Sequence, residues 1–376
     1  MKHRFALFLP LLLLCLSCQR VGQTSAREQA QALEPDTPRV VTLLFAGDLM
    51  QHQGQINAAR RADGTWDYTD CFQFVRDEIS RYDIAIANLE VTLPGPPYSG
   101  YPQFRCPDAF LQGALDAGFD VMLTANNHCC DSYQKGLECT IAVLDSLKVP
   151  HLGTYRNAAE REANYPLLVE QNGIRIALLN YTYDTNGIPV KSPNVVNIID
   201  REQIAHDVAR AKEMHPDVII ANMHWGIEYV QQPNKQMRDL ADFLLAQGVD
   251  HIIGGHPHVV QPIEVREDQT GNKHLVVWSL GNYISNMTKE NTEIGLMVGL
   301  QLTKDSTSTR LTDAGYTITF CSRPAVSGRR VHTVLPASYP TTDMRPAERE
   351  RFTRMMRNTR TLFSKYNIGI SERAIR

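Results

Sequence analysis

The sequence predicts an α/β fold with buried central strands, and three observations carry that prediction. From residue 40 onward, short β-branched apolar runs alternate with helix-like segments of mixed polarity. With 376 residues and 43% apolar side chains, the chain is long and apolar enough to bury a sizeable core. Six of the apolar runs end directly in clusters of carboxylates, amides or imidazoles. In open α/β sheets ligands bind beyond the carboxyl ends of the strands, so these clusters are expected to converge on one edge.

In chain order, Lys2 and Arg4 precede an apolar run from Phe5 to Leu16, and small Ser17 precedes Cys18. That is the layout of a secretory signal over residues 1–18, too short for a spanning helix, which needs roughly 20 apolar residues. Leu14-Cys15-Leu16-Ser17-Cys18 also resembles a bacterial lipobox with Cys18 as the lipidated residue, although Cys15 stands where Leu is usual. Ordinary cleavage with Cys18 incidental is the alternative. Residues 19–39 read as a polar, flexible linker tethering a domain over 40–335 to a membrane lipid anchor.

Within that domain the expected strands are Val40 to Ala46, Asp83 to Ala87, Asp120 to Thr124, Ile174 to Asn180, Val218 to Asn222, His251 to Ile253 and Leu275 to Leu280. Helical spacing marks Cys71 to Arg81, Ala109 to Ala117, Tyr133 to Leu147, Arg201 to Met214 and Lys235 to Gln247. Two Pro/Gly-rich loops, Pro94 to Pro107 and Tyr183 to Asn194, are either covers over a site or plain surface excursions. Residues 336–376 form a C-terminal helical extension. In it Arg345 to Tyr366 is a basic amphipathic helix whose Phe352, Met355, Met356, Leu362 and Phe363 dock on the domain.

Composition excludes several functions. The 38 Lys+Arg against 41 Asp+Glu lack the positive excess of a nucleic-acid binder, so no nucleic-acid partner is expected. Without the signal's two cations the net charge is about −5. Six cysteines remain (Cys71, Cys106, Cys129, Cys130, Cys139 and Cys321), with no C-x-x-C pair to suggest structural zinc, and an oxidising compartment permits disulfides whose pairing sequence does not choose. No G-x-x-x-x-G-K-[ST] loop is present, so an ATP-driven ligation would need partner membrane proteins.

The strand-end clusters are Gly47-Asp48 with His52, Asn88-Leu89-Glu90, Asn126-Asn127-His128 with Asp131, His224-Trp225-Gly226 with Glu228, His256-Pro257-His258, and Ser279-Leu280-Gly281-Asn282. Asp48, Glu90 and Asn127 offer oxygen, and His224, His256 and His258 offer nitrogen. Mixed ligation of this kind suits Mn, Fe, Co, Ni or Zn rather than Mg or Ca. So many donors exceed one four-coordinate zinc and fit two divalent ions, with Mn, Fe or Zn foremost. His52 is either a further ligand or the first turn of a helix; Asp131 binds, caps or orients; Asn282 binds or fixes a turn. Singly each is weak, but burying that many imidazoles and carboxylates without an ion would be costly.

The set FAGDLMQH, NLE, TANNHCCD, MHWGIEY, GGHPHVVQP and SLGN, spanning residues 41 to about 287, resembles the capsule-synthesis CapA family of poly-gamma-glutamate proteins, itself related to the calcineurin-like metallophosphoesterases. The resemblance implies a metallophosphoesterase-like four-layer α/β/β/α sandwich. It casts Asp48 as the first metal-binding Asp and Glu90 as the bridging carboxylate. Asn127 becomes a ligand and His128 the substrate-contacting acid, while His224, His256 and His258 complete the metal set. Met50 stands where the phosphoesterases have their first His, the nearest being His52, and Glu replaces Asp at position 90.

The implied activity is metal-dependent hydrolysis of a phosphoester or anionic polymer, with His128 protonating the leaving group. Asn88, Asn126, Asp131, Trp225, Glu228, Asn282 and, on the first loop, Arg105 are candidates to touch substrate or support the ligands; a surface role for Arg105 is the plainer alternative. The competing expectation is a non-catalytic accessory protein that binds or anchors the capsule polymer.

Overall fold

A computed structural model describes residues 37–375; the signal, Cys18 and most of the linker lie outside the described residues. Residues 38–375 belong to one compact unit. Its larger sheet runs in the order Thr333–Pro336, Thr309–Ser322, Ile294–Lys304, Arg39–Leu49, Ile84–Leu89, Val121–Leu123 and His151–Leu152. Asn282–Ile284 joins it beside the end of the Asp48 strand, and Ser371–Glu372 joins beside Thr309–Ser322. The second sheet runs Ile263–Glu267, Lys273–Val277, His251–Gly255, Val218–His224, Ile174–Thr182 and Leu167–Gln171. Its four central strands are parallel and its two edges antiparallel.

The two-residue period of the strands decides the layering. Along Arg39–Leu49, Val41, Leu43 and Phe45 face a core shared with Ile174, Ile176 and Leu178 of the second sheet. Leu44 and Ala46 face the other way, into a core made with Phe110, Leu111 and Ala114 of the helix Asp108–Asp116. Helices Arg201–Glu213 and Lys235–Gln247 bury Ile204, Val208, Leu240 and Leu244 against the second sheet, giving the four α/β/β/α layers. Local chemistry sets their ends: Asp200 and Asn234 each accept a backbone N–H of the first turn at 2.8 Å, and Gly248 closes the second helix at φ 96°.

Two expectations change in the structure. The helix expected over Cys71 to Arg81 is reduced to a 3-10 turn, Thr69–Cys71, and a four-residue helix, Arg76–Ile79. Cys71, Phe72, Val75 and Ile79 all point into the outer core, so tertiary contact rather than helical periodicity sets their path. The long strands Ile294–Lys304 and Thr309–Ser322 were not foreseen at all, although they extend the larger sheet as an antiparallel pair. Gly295, Gly299 and Gly315 interrupt their apolar pattern for a physical reason: a Cβ on Gly299 would sit 2.3 Å from the Tyr82 hydroxyl.

The C-terminal helix forms as Pro346–Tyr366 and is an integral part of the unit. Phe363 meets Tyr316 edge-on at 5.0 Å and Phe352 meets Phe320 at 5.4 Å. Beyond it, Asn367 and Ile368 hydrogen-bond to Ile263 and Val265, tying the helix to the edge of the second sheet. Three of its basic residues are paired: Arg351 with buried Glu293, Arg354 with Glu290, and Arg360 with Glu372. All six described cysteines are free thiols.

Candidate metal centre

Strand register brings the expected donors together. Asp48 lies opposite both Asn88 and Asn282 in the larger sheet, and His224 lies opposite Gly255 in the second. The sheets approach each other at this end because glycines line the contact. A Cβ on Gly255 would stand 3.0 Å from Asp48 Oδ1, and one on Gly47 would stand 2.0 Å from the Gly281 carbonyl oxygen.

Amides then set the carboxylates. The Asn88 side-chain amide donates to Asp48 Oδ1 at 2.8 Å and to Glu90 Oε2 at 3.3 Å. Asn126 in turn donates to Asn88 Oδ1 at 3.1 Å and to the Leu89 carbonyl, while its own oxygen accepts the His128 backbone N–H at 3.1 Å. Asn88 and Asn126 are therefore the frame that links three strand ends. Asn282 accepts from His258 Nδ1 at 2.9 Å and donates to the Thr292 carbonyl, which leaves the His258 Nε2 lone pair facing Glu90 Oε1 at 3.9 Å.

Ligand atoms of Asp48, Glu90 and His258 lie within 4.8 Å of one another, and so do those of Glu228, His256 and His258. His224 Nε2 reaches Asn127 Oδ1 at 2.8 Å and Glu90 Oε1 at 3.7 Å. Asp48 Oδ2, Glu90 Oε1 and His256 Nδ1 are buried without a hydrogen-bond partner. Burial and the neighbouring Asp48 push the Glu90 carboxyl well above its ordinary range, and burial plus the other imidazoles hold His224 well below its own. Burial likewise lowers His256 to about 3, so both imidazoles are neutral, the form that ligates. Orphaned oxygens, neutral imidazoles and a carboxylate that needs a positive neighbour together fit divalent cations.

Beside this cluster stands His128. Its Nδ1 lies 2.8 Å from Asp131 Oδ2, which also accepts the Phe104 backbone N–H at 2.6 Å. Asp131 thus orients the ring and is no part of the donor groups. The ring opens on a cavity of about 640 Å³ walled by residues 99–103 of the first Pro/Gly-rich loop, by Asn186 and Ile188 of the second, and by Glu228. Both loops thus contribute walls to the cavity. Phe104 packs edge-on against His128 at 4.5 Å.

Three expected residues are placed elsewhere. His52 belongs to neither donor group: it precedes the helix Gln53–Ala59 as its cap, its Nδ1 facing the Asn286 backbone N–H at 3.3 Å, and burial lowers it to about 4. Trp225 is buried in the core, stacked on Trp278 and donating to its carbonyl at 3.1 Å, so it supports the strand end. The Arg105 guanidinium donates to the Pro97 carbonyl at 2.9 Å and closes its own loop. Sequence reasoning missed Asn186, which accepts from Asn127 at 3.1 Å and lies 3.4 Å from His128 Nε2. It also missed Tyr183, whose ring lies 4.4 Å from His256. The Asn-Gly turn at 186–187 was the available signal, and Asn186 sits at φ 53°.

Against known proteins, the family described as "Bacterial capsule synthesis protein PGA_cap" matches residues 42–287. The "PGA biosynthesis protein CapA" of Bacillus subtilis is 32% identical over 281 residues, covering 71% of this chain and 69% of the relative. The "Capsule biosynthesis protein CapA" of Bacillus anthracis is 26% identical over 203 residues; that match takes in 53% of this chain and 48% of the relative, about half its length. Among solved structures, the calcineurin-like phosphoesterase YfkN of Bacillus subtilis aligns at a TM-score of 0.46 and 14% identity, covering 86% of this chain and 98% of that one. The NAD nucleotidase NadN of Haemophilus influenzae aligns at 0.46 and 11% identity, covering 90% of this chain and 65% of that one.

Proposed function

The chain belongs to the bacterial capsule synthesis family, and on that premise we propose that it is an exported metal-dependent hydrolase acting on a phosphoester in capsule or cell-envelope polymer metabolism. The observation that carries the reading is the adjacency of two features: a donor cluster with orphaned buried atoms, and an oriented His128 facing a cavity.

Asp48, Glu90, Asn127, His224, His256 and His258 would hold two divalent ions, Mn, Fe or Zn by their donor chemistry. Such ions supply Lewis acidity toward a phosphoryl oxygen and toward water. In the hydrolysis, water oxygen forms the new bond to phosphorus as the bond to the leaving alcohol breaks. His128 would give the proton on Nε2 to the departing oxygen while Asp131 keeps the ring aimed by holding Nδ1–H, and the proton lost by the attacking water returns through solvent to Nε2. The Phe104 ring and residues of the two loops stand on the same face of the site.

The test is turnover of p-nitrophenyl phosphate by purified protein loaded with Mn, Fe(II) or Zn. Wild type is expected to be active with at least one metal, and His128→Ala to lose about 10²–10⁴-fold in kcat while keeping its metal content. Wild type and variant equally inactive with every metal would favour the other reading, an accessory protein of capsule biosynthesis, the process its relatives are named for, that binds or anchors an anionic polymer alongside membrane-bound synthesis proteins. Localisation is part of the same proposal: the protein is held at the membrane through lipidated Cys18. Mass spectrometry finding an unmodified Cys18 in the mature protein would overturn that part.

A further inference from the structure

The cavity beside His128 carries a charge signature that hydrolysis by itself does not require. Two carboxylates line it, Asp131, which is paired with the lining His128, and Glu228, together with the amides of Gln103 and Asn186, and no Lys or Arg is among its described lining residues. Asp131 Oδ1 is buried and has no donor to accept from. The only basic residue of the loop at 94–107 is Arg105, and its guanidinium is turned onto the Pro97 carbonyl. Lys289 stands 3.6 Å over the Tyr229 ring, outside that lining. On the rim, Tyr101 is 77% exposed and offers a flat, amphipathic face.

A wall of acceptors and amides beside an exposed aromatic ring suits a ligand that brings hydroxyl donors and no negative charge. Like charges held close repel, and Asp131 is already paired with His128, so a carboxylate-bearing alcohol would meet Glu228 unfavourably. The phosphoryl group itself would be directed to the donor cluster, whose cations offset its charge. Resting on the phosphoester reading above, we propose that this cavity receives the leaving-group half of the substrate and selects a neutral, hydroxyl-rich alcohol, a sugar or polyol, against alcohols that carry a carboxylate.

The experiment compares kcat/KM of the metal-loaded full chain for glycerol 3-phosphate and 3-phosphoglycerate, a pair whose alcohols differ by one carboxylate, with p-nitrophenyl phosphate as the reference substrate. Glycerol 3-phosphate is expected to be preferred about tenfold or more. Glu228→Lys should shift that ratio toward 3-phosphoglycerate, and because the ratio is internal, a general loss of activity does not obscure it. Gln103→Lys, in the same lining, is the second variant should the first not fold. Turnover of p-nitrophenyl phosphate with 3-phosphoglycerate cleaved equally well or better overturns this inference and leaves the hydrolase reading standing. A ratio unmoved by either folded variant also overturns it. No turnover of any phosphoester with any metal removes both.

Discussion

Single side chains in this protein divide into those that would hold ions and those that set their aim. Asp131 is the clearest of the second kind, since its Oδ2 joins His128 Nδ1 to the Phe104 backbone. Asp131→Asn is expected to lower kcat about 10- to 100-fold with metal content unchanged, read by steady-state kinetics alongside metal analysis. Away from the site, His251 is buried and accepts the Leu275 N–H at 3.1 Å, and burial lowers its pKa to about 3. Unfolded, it titrates near ~6.5, so below that pH the unfolded chain binds a proton that the folded chain refuses. Stability is therefore fully present above ~6.5 and falls as pH drops toward 3, by up to about 1.4 kcal/mol per pH unit for this group. His251→Asn should flatten the decline of the urea midpoint between pH 6.5 and 4 relative to wild type. An unchanged slope would count against a neutral buried His251.

At the scale of elements, the site depends on two devices that sit outside it. Glycines let the sheet ends close: with a Cβ 2.0 Å from the Gly281 oxygen, Gly47→Ala must push the Asp48 strand away from its neighbour. The expected result is a loss of about 1–3 kcal/mol in urea unfolding together with weaker metal binding by titration. The C-terminal helix is the second device, pinned by Phe352 and Phe363 and by the pairs of Arg351 with buried Glu293 and of buried Glu348 with Arg329. Phe363→Ala is expected to cost about 3–5 kcal/mol, the loss of a buried ring and the cavity it leaves. Because that helix bridges the two sheets, amide exchange should rise in both Thr309–Ser322 and Ile263–Glu267. Exchange confined to the helix would show that the bridge carries no cooperativity.

For the whole molecule, the donor cluster sits where the two sheets meet, so ion binding and folding are linked. A ligand at about 100 times its Kd stabilises the folded state by ~2.7 kcal/mol. Chelation should accordingly lower Tm by several degrees and Mn should restore it; calorimetry that finds no difference would argue against resident ions. Much of this centre was legible in the sequence. A carboxylate or imidazole directly after a buried apolar run is placed by the strand that precedes it, and Asp48, Glu90, Asn127, His224, His256 and His258 were all readable that way. The local code also specified the helices at 108–116, 133–146, 201–213 and 235–247, through apolar spacing and, in the last two, Asp and Asn caps. Tertiary structure alone decided the roles of His52, Trp225 and Arg105, because each has a partner more than fifty residues away or a loop carbonyl that no periodicity announces. It also decided the glycine-marked strands beyond residue 290 and the entry of Asn186 beside His128, since close backbone approach and loop packing depend on what arrives from elsewhere in the chain.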